Sequence, residues 1–186
     1  MTTARSLATA AGHPNEEPMS HQDDMQALWD VLSEFTYAMM ITHDEIDGVK
    51  LMRGRPMAVY LDADAGLIRF LSERTDDKVE EVHAEHDVCL SFAQPAENRF
   101  ASVSGRANLT TDRALIKKLW GPAADSWFEG DAETADVAVI EVRPVEAEYW
   151  RKDETALTRA FQFAKGLVTH DTPNIGENRK IDADAA

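Results

Sequence analysis

The sequence predicts a mainly β, α+β fold: an antiparallel sheet rolled into a barrel, with flanking helices. Three observations lead there. Six short runs rich in β-branched and aromatic residues are joined by tight turns, and the long βα crossovers that a parallel sheet requires are missing. The run Arg99–Thr110 alternates strictly, with Ala101, Val103, Gly105, Ala107 and Leu109 on one face and Ser102, Ser104, Arg106 and Asn108 on the other, as a half-buried barrel strand does. The chain has 186 residues, 44% of them hydrophobic, which is enough for one core and one domain.

The elements follow in order. Residues 1–20 are polar, aperiodic and poor in aromatics, and read as a mobile tail. Ser20 can cap a helix over residues 21–34, because Met25, Leu28, Trp29 and Leu32 fall at i, i+3, i+4 and i+7. Strands are expected at Thr36–Thr42, Lys50–Leu61, Leu67–Leu71, Val88–Ala93, Arg99–Thr110 and Val137–Val142. Asp47-Gly48 and the loop from Asp62 to Gly66 are the hairpin connections. Thr75 opens a short helix through Ala84, with Asp76 and Asp77 in its first turn, where carboxylates suit the helix dipole. Asp112 starts another helix, to Trp120. A last one is expected around Leu157, Ala160, Phe161 and Ala164, with Gly166 near its end. The domain is thus expected over residues 21–170, followed by a polar tail, 171–186.

Composition narrows the function classes. A formal charge of −15 disfavours nucleic-acid backbones and anionic membrane surfaces, so neither is expected as a partner. No apolar run could span a bilayer or serve as a secretion leader, and a cytoplasmic protein is expected. The single cysteine, Cys89, sits in an apolar strand and reads as a small core residue.

Any bound anion must be held by a local basic cluster. Arg55-Pro56-Met57 supplies a candidate, because the residue before a proline is forced into an extended conformation. Arg53 and Arg55 leave the same strand face and could grip a phosphate together, or could be a solvated edge; the spacing alone does not choose. Ser72, Thr75 and Lys78 at a helix mouth carry the same two readings. Asp62, Asp64 and Gly66 begin like a calcium loop, but the glycine is misplaced for one, and the acidic hairpin reading stands. His83 and His86 straddle the expected end of a helix, so no metal is assigned. Trp120, Trp127, Phe128, Tyr149 and Trp150 concentrate aromatics in the second half, where most should be core and some could wall a pocket for a planar ligand. No Ser-His-Asp, Cys-His or glycine-rich phosphate motif is present, and nothing suggests hydrolysis.

Together, Arg55-Pro56-Met57, Phe70-Leu71-Ser72 with Lys78, Asn98-Arg99-Phe100, Val103-Ser104-Gly105, Leu119-Trp120-Gly121-Pro122, Trp127-Phe128 and Glu148-Tyr149-Trp150 make a pattern. It resembles the bacterial general stress proteins of the pyridoxamine 5'-phosphate oxidase-like family. The resemblance implies a split β-barrel that binds FMN, with FAD as the alternative, in a groove between two subunits of a homodimer. It implies that Arg55 and the backbone around Pro56 and Met57 meet the ribityl chain and phosphate. Phe70, Leu71 and Ser72 would line the isoalloxazine edge, Lys78 would hold the phosphate, and Trp150 would reach the flavin of the partner chain. Pyridoxamine phosphate oxidases also carry a closing Arg-Leu-Ala-Pro segment that this chain lacks, so oxidation of vitamin B6 is not expected. The implied activity is that of a flavin-dependent oxidoreductase in a stress response. The rival is a flavin store, sensor or interaction module without turnover, and a third reading exchanges FMN for a deazaflavin or haem.

Overall fold

Residues 21–75, 86–151 and 177–183 are described in a computed structural model of the chain. Helix α1 (His21–Leu32) leads into β1 (Tyr37–Ile46), β2 (Val49–Ala58), β3 (Tyr60–Asp62), β4 (Leu67–Glu73) and β5 (Asp87–Gln94). A 3₁₀ turn (Pro95–Glu97), β6 (Arg99–Thr110), α2 (Arg113–Leu119), α3 (Pro122–Trp127), β7 (Val137–Arg151) and β8 (Glu177–Asp182) complete it. The N-terminal tail, the last expected helix and the helix after Thr75 lie outside the described residues.

The sheet is antiparallel throughout, in the order β2-β1-β5-β6-β7-β4-β3, with β8 added on β7. Its two edges, β2 and β3, are consecutive in sequence and only Val59 separates them. The chain therefore crosses from one edge to the other within one residue, which requires the sheet to be rolled into a barrel. At the crossing the Val59 N–H donates to the Thr36 carbonyl at 3.0 Å. This corrects the single strand expected over Lys50–Leu61. The hydrophobic pattern runs on through Val59, and nothing in it marks a change of pairing partner.

Local chemistry explains most of the elements. Asp47 and Gly48 both have positive φ (53° and 78°), the backbone of a two-residue primed hairpin turn. In α1 the expected stripe is buried, with Leu28 and Leu32 fully inside and Met25 packed against the core. The helix ends at Leu32, short of residue 34, where the Ser33 hydroxyl bonds back to the Asp30 carbonyl at 2.7 Å. Asp112 caps α2 by accepting from the Ala114 N–H at 2.9 Å. The face of β6 that was expected to be buried is buried from Ala101 to Ala107.

Strand β7 runs to Arg151, nine residues past the expected end at Val142. Pro144 is accommodated by a bulge: Gly105 pairs with Pro144 and Ser104 with Glu146, leaving Val145 unopposed. Gly105 permits the close approach, since a Cβ there would lie 2.6 Å from the Arg143 carbonyl oxygen and 2.7 Å from a Val142 methyl. Trp150 is consequently inside a strand and does not follow one.

The first half of β7 pairs with β4 and the second half with β8. The split of the barrel is this change of neighbour along one strand. Strand β8 occupies Glu177–Asp182 within the polar tail expected over 171–186: Ile181 is buried beside Ala147, and Lys180 and Asp182 on either side are exposed. Cys89, expected in the core, is half-buried on the outer surface, with Sγ 3.7 Å from the Ser102 hydroxyl.

The main core fills the barrel beneath α1, and a smaller one lies outside it, where Ile116 of α2 and Ala124 of α3 cover Leu71, Val137 and Val139. Among the described residues, no helix is long and apolar enough to cross a membrane.

Candidate functional site

A cavity of about 370 Å³ opens where the end of β2, the end of β4 and helix α3 meet. Pro56 and Met57 line it from β2, and Leu71 and Ser72 from β4. Pro56 can occupy this position because β2 is a sheet edge, where a missing N–H need not break a ladder. Leu71 belongs to the outer core, and the buried Ser72 hydroxyl donates to the Glu73 carbonyl at 3.2 Å. Aromatic side chains supply most of the remaining wall: Tyr37 at the start of β1, Tyr60 just past the crossing, and Trp127 with Phe128 at the end of α3. Trp127 is 76% exposed, an unusual state for a tryptophan, and belongs to the cavity lining.

Six of the residues singled out from the sequence thus line one cavity, Pro56, Met57, Leu71, Ser72, Trp127 and Phe128; the other described ones do not. Arg55 leaves β2 on the face opposite Pro56 and donates to the Thr42 hydroxyl at 3.1 Å. Arg53 shares that face, as the two-residue spacing predicts, and pairs with Asp44 at 2.9 Å. Phe70 is fully buried in the barrel core behind Leu71. Thr75 is exposed just beyond β4, and Lys78 lies outside the described residues. Trp150 sits near the far end of β7. Ser72 pairs with Ala138, twelve residues before it, so within one chain Trp150 is on the order of 40 Å along the strand from the cavity.

The cavity is apolar with few polar handles. Burial, and then the neighbouring Tyr37, push the Tyr60 phenol above its ordinary value, so it remains a hydroxyl donor at neutral pH. Glu73 is the charged side chain in the lining; no histidine, lysine or cysteine is found there among the described residues. Such walls suit a flat, largely apolar ring and offer no nucleophile paired with a base.

Two residues before Leu71 on β4, the buried Arg69 ties three strands together. Its Nε donates to Glu141 of β7 at 2.7 Å, and its guanidinium also binds the Asp62 carboxylate at the end of β3. Burial alone would lower the Arg69 pKa, but the bonds to Asp62 and Glu141 outweigh it and raise the value. The Arg69 hydrogen bond, then one from the Ala65 N–H, holds the Asp62 carboxyl below its ordinary value. Asp62, the first acidic residue of the calcium-like run, is thus committed to a salt bridge.

Tyr37, Tyr60 and helix α3 did not emerge as site elements from the sequence. A signal for α3 was available, because Gly121-Pro122 places a proline at the first helical position. Trp120 and Phe128 pack together outside the barrel with ring centroids 5.9 Å apart, and Tyr149 is core.

Comparison with known proteins adds to this geometry. The family model described as "Pyridoxamine 5'-phosphate oxidase like" matches residues 23–174. Protein bli-3 of Neurospora crassa is 27% identical over 153 residues, spanning 78% of this chain and 73% of that protein. Among solved structures, one from Jannaschia sp. CCS1 named for general stress protein 26 superposes with a TM-score of 0.68 and 25% identity, covering 87% of this chain and 99% of that one. The general stress FMN/FAD binding protein of Xanthomonas citri superposes with a TM-score of 0.59 at 23% identity, covering 72% and 92% respectively.

Proposed function

Because the chain belongs to the pyridoxamine 5'-phosphate oxidase-like family, we propose that it is a general stress flavoprotein that binds FMN in the cavity between β2, β4 and α3. The observation that carries this reading is the convergence of Pro56, Met57, Leu71 and Ser72 on an aromatic-walled cavity of a size suited to a planar ring. The name of the Xanthomonas citri relative, which gives it FMN or FAD, points the same way. Tyr37, Tyr60 and Trp127 would flank the ring. The phosphate would lie beyond Ser72, with Thr75 and Lys78 as the groups proposed to meet it. FAD is the alternative occupant, distinguished by identifying the cofactor released from the purified protein.

The dimer belongs to the same proposal. Tyr37, Met39, Phe100 and Trp150 are each more than a third exposed. The strand registers put all four on the outward face of one sheet. A second copy of the chain would cover that face and bring its Trp150 to a cavity that the same chain's Trp150 does not reach.

A bound flavin supplies the electron transfer, and the chain's residues hold it, orient it and exclude water. The activity proposed is that of an oxidoreductase. One observation favours the rival reading of a flavin store or sensor: among the described residues, the lining offers no histidine, lysine or cysteine to pass a proton to a substrate. Stopped-flow mixing of the flavin-loaded protein with NADH and NADPH, followed by a panel of quinone and nitro acceptors, separates the two. Turnover faster than that of free FMN supports the enzyme. A bound flavin that stays oxidised leaves the binding protein.

A further inference from the structure

Side-chain donors are scarce in the cavity wall. Among the described lining residues the Ser72 hydroxyl is spent on the Glu73 carbonyl at 3.2 Å, and the Glu73 carboxylate accepts and does not donate. The phenols of Tyr37 and Tyr60 and the indole N–H of Trp127 remain, and none of the three meets an acceptor among the described residues. They differ in exposure. Tyr37 is 59% and Trp127 76% exposed, so solvent reaches both, whereas Tyr60 is half-buried at the first position of β3. Its pairing with Arg69 sets it on the sheet face of Leu71, and its ring packs against the outer core. A phenol kept protonated and partly shielded from water makes a stronger hydrogen bond than one in solvent, because the dielectric around it is lower.

We propose that the Tyr60 hydroxyl donates to the acceptor edge of the bound flavin ring and thereby raises the reduction potential of the cofactor. The inference rests on the flavin reading above and adds to it the residue that tunes the ring. That edge carries carbonyl oxygens and ring nitrogens, and uptake of two electrons and one proton leaves one negative charge on the ring. A hydrogen bond to a charged acceptor is roughly twice as strong as one to a neutral acceptor, so the donor favours the reduced form. The difference amounts to about tenfold in affinity, which is about 30 mV for a two-electron couple. Only this difference between the two states moves the potential; contacts that hold both equally leave it where it was. Glu73, whose carboxylate opposes negative charge on the ring, pulls the other way and is common to every protein compared below.

The test is the midpoint potential of FMN bound to the full chain, read by dithionite titration against a reference dye. Tyr60→Phe keeps the ring and removes the hydroxyl, and should lower the potential by about 30 mV, a tenfold change in the ratio of the two affinities. Tyr37→Phe removes a hydroxyl that solvent already reaches, and should move the potential by less than about 10 mV, a twofold change. A loss of packing weakens oxidised and reduced FMN together and cancels in the potential. If Tyr60→Phe holds FMN too weakly to saturate, separate dissociation constants for oxidised and reduced FMN give the same ratio. If it does not fold, 3-fluorotyrosine installed at Tyr60, a stronger donor of nearly the same shape, should raise the potential. One potential shared by wild type and Tyr60→Phe, or equal falls in Tyr60→Phe and Tyr37→Phe, overturns the proposal and leaves the flavin reading standing. A wild-type protein that takes up no flavin overturns both.

Discussion

Arg69 is a buried charge that ties three neighbouring strands, because from β4 it binds Asp62 on β3 and Glu141 on β7. Arg69→Ala would leave two carboxylates facing each other without their cation, and should cost about 3 kcal/mol in chemical denaturation. The pH dependence follows from Asp62. Its carboxyl is depressed in the folded state, so the stability it contributes is fully present above the ordinary aspartate pKa and is lost as pH falls through the lowered folded value. Asp62→Asn should therefore flatten the acid limb of the stability profile below about pH 4, while the wild-type protein keeps its slope there. The cavity residues make a second, separable prediction. Trp127→Ala should weaken FMN and riboflavin alike, by about 1 kcal/mol or roughly fivefold, since it removes a stacking surface. Lys78→Ala should weaken FMN by about one to two decades and leave riboflavin nearly untouched, since riboflavin lacks the phosphate. Titrations of the two variants with both ligands check this crossing pattern. At this scale Pro56 and Ser72 were legible because a proline constrains its neighbour and a hydroxyl at a helix mouth invites an anion. Tyr37 and Tyr60 were not, because a tyrosine at a strand end carries the same signal whether it faces core, solvent or a cavity.

Strands were legible where their alternation was uninterrupted. Arg99–Thr110 appears with both ends as read, whereas the last expected strand, Val137–Val142, stops two residues short of Pro144, across which β7 in fact continues. The compensation, Gly105 opposite the bulge, is a property of a pair of strands, and no single run of sequence displays it. Gly105→Ala forces a methyl against the Arg143 carbonyl, and should destabilise the fold by about 1–3 kcal/mol with the urea slope unchanged. Strand β8 escaped notice for a related reason: Glu177 to Asp182 holds one apolar side chain, Ile181, among charged neighbours, and reads as a tail until β7 is known to extend beside it. That one side chain is fully used. Ile181→Ala should cost about 2–4 kcal/mol, a loss that a solvated tail could not produce.

The rolled sheet, the helices over its outer face and the cavity between them follow from one placement, the crossing at Val59 that moves the chain from β1 to β4. It sets Met57 and Tyr60 on one rim and opposes them to Leu71 and Ser72. The family was legible from dispersed motifs across the chain, while the walls of the cavity required knowing which elements meet. A single chain also leaves an apolar outward face and a distant Trp150, and sedimentation at micromolar concentration should give twice the chain mass. A monomer that binds flavin at full affinity would remove the shared groove and keep the cavity. The central claim is that this cavity holds FMN. Fluorescence titration of FMN into the flavin-free protein tests it most directly: saturable quenching of the flavin emission at one equivalent per chain is the expected result, and emission unchanged up to high micromolar FMN would contradict it.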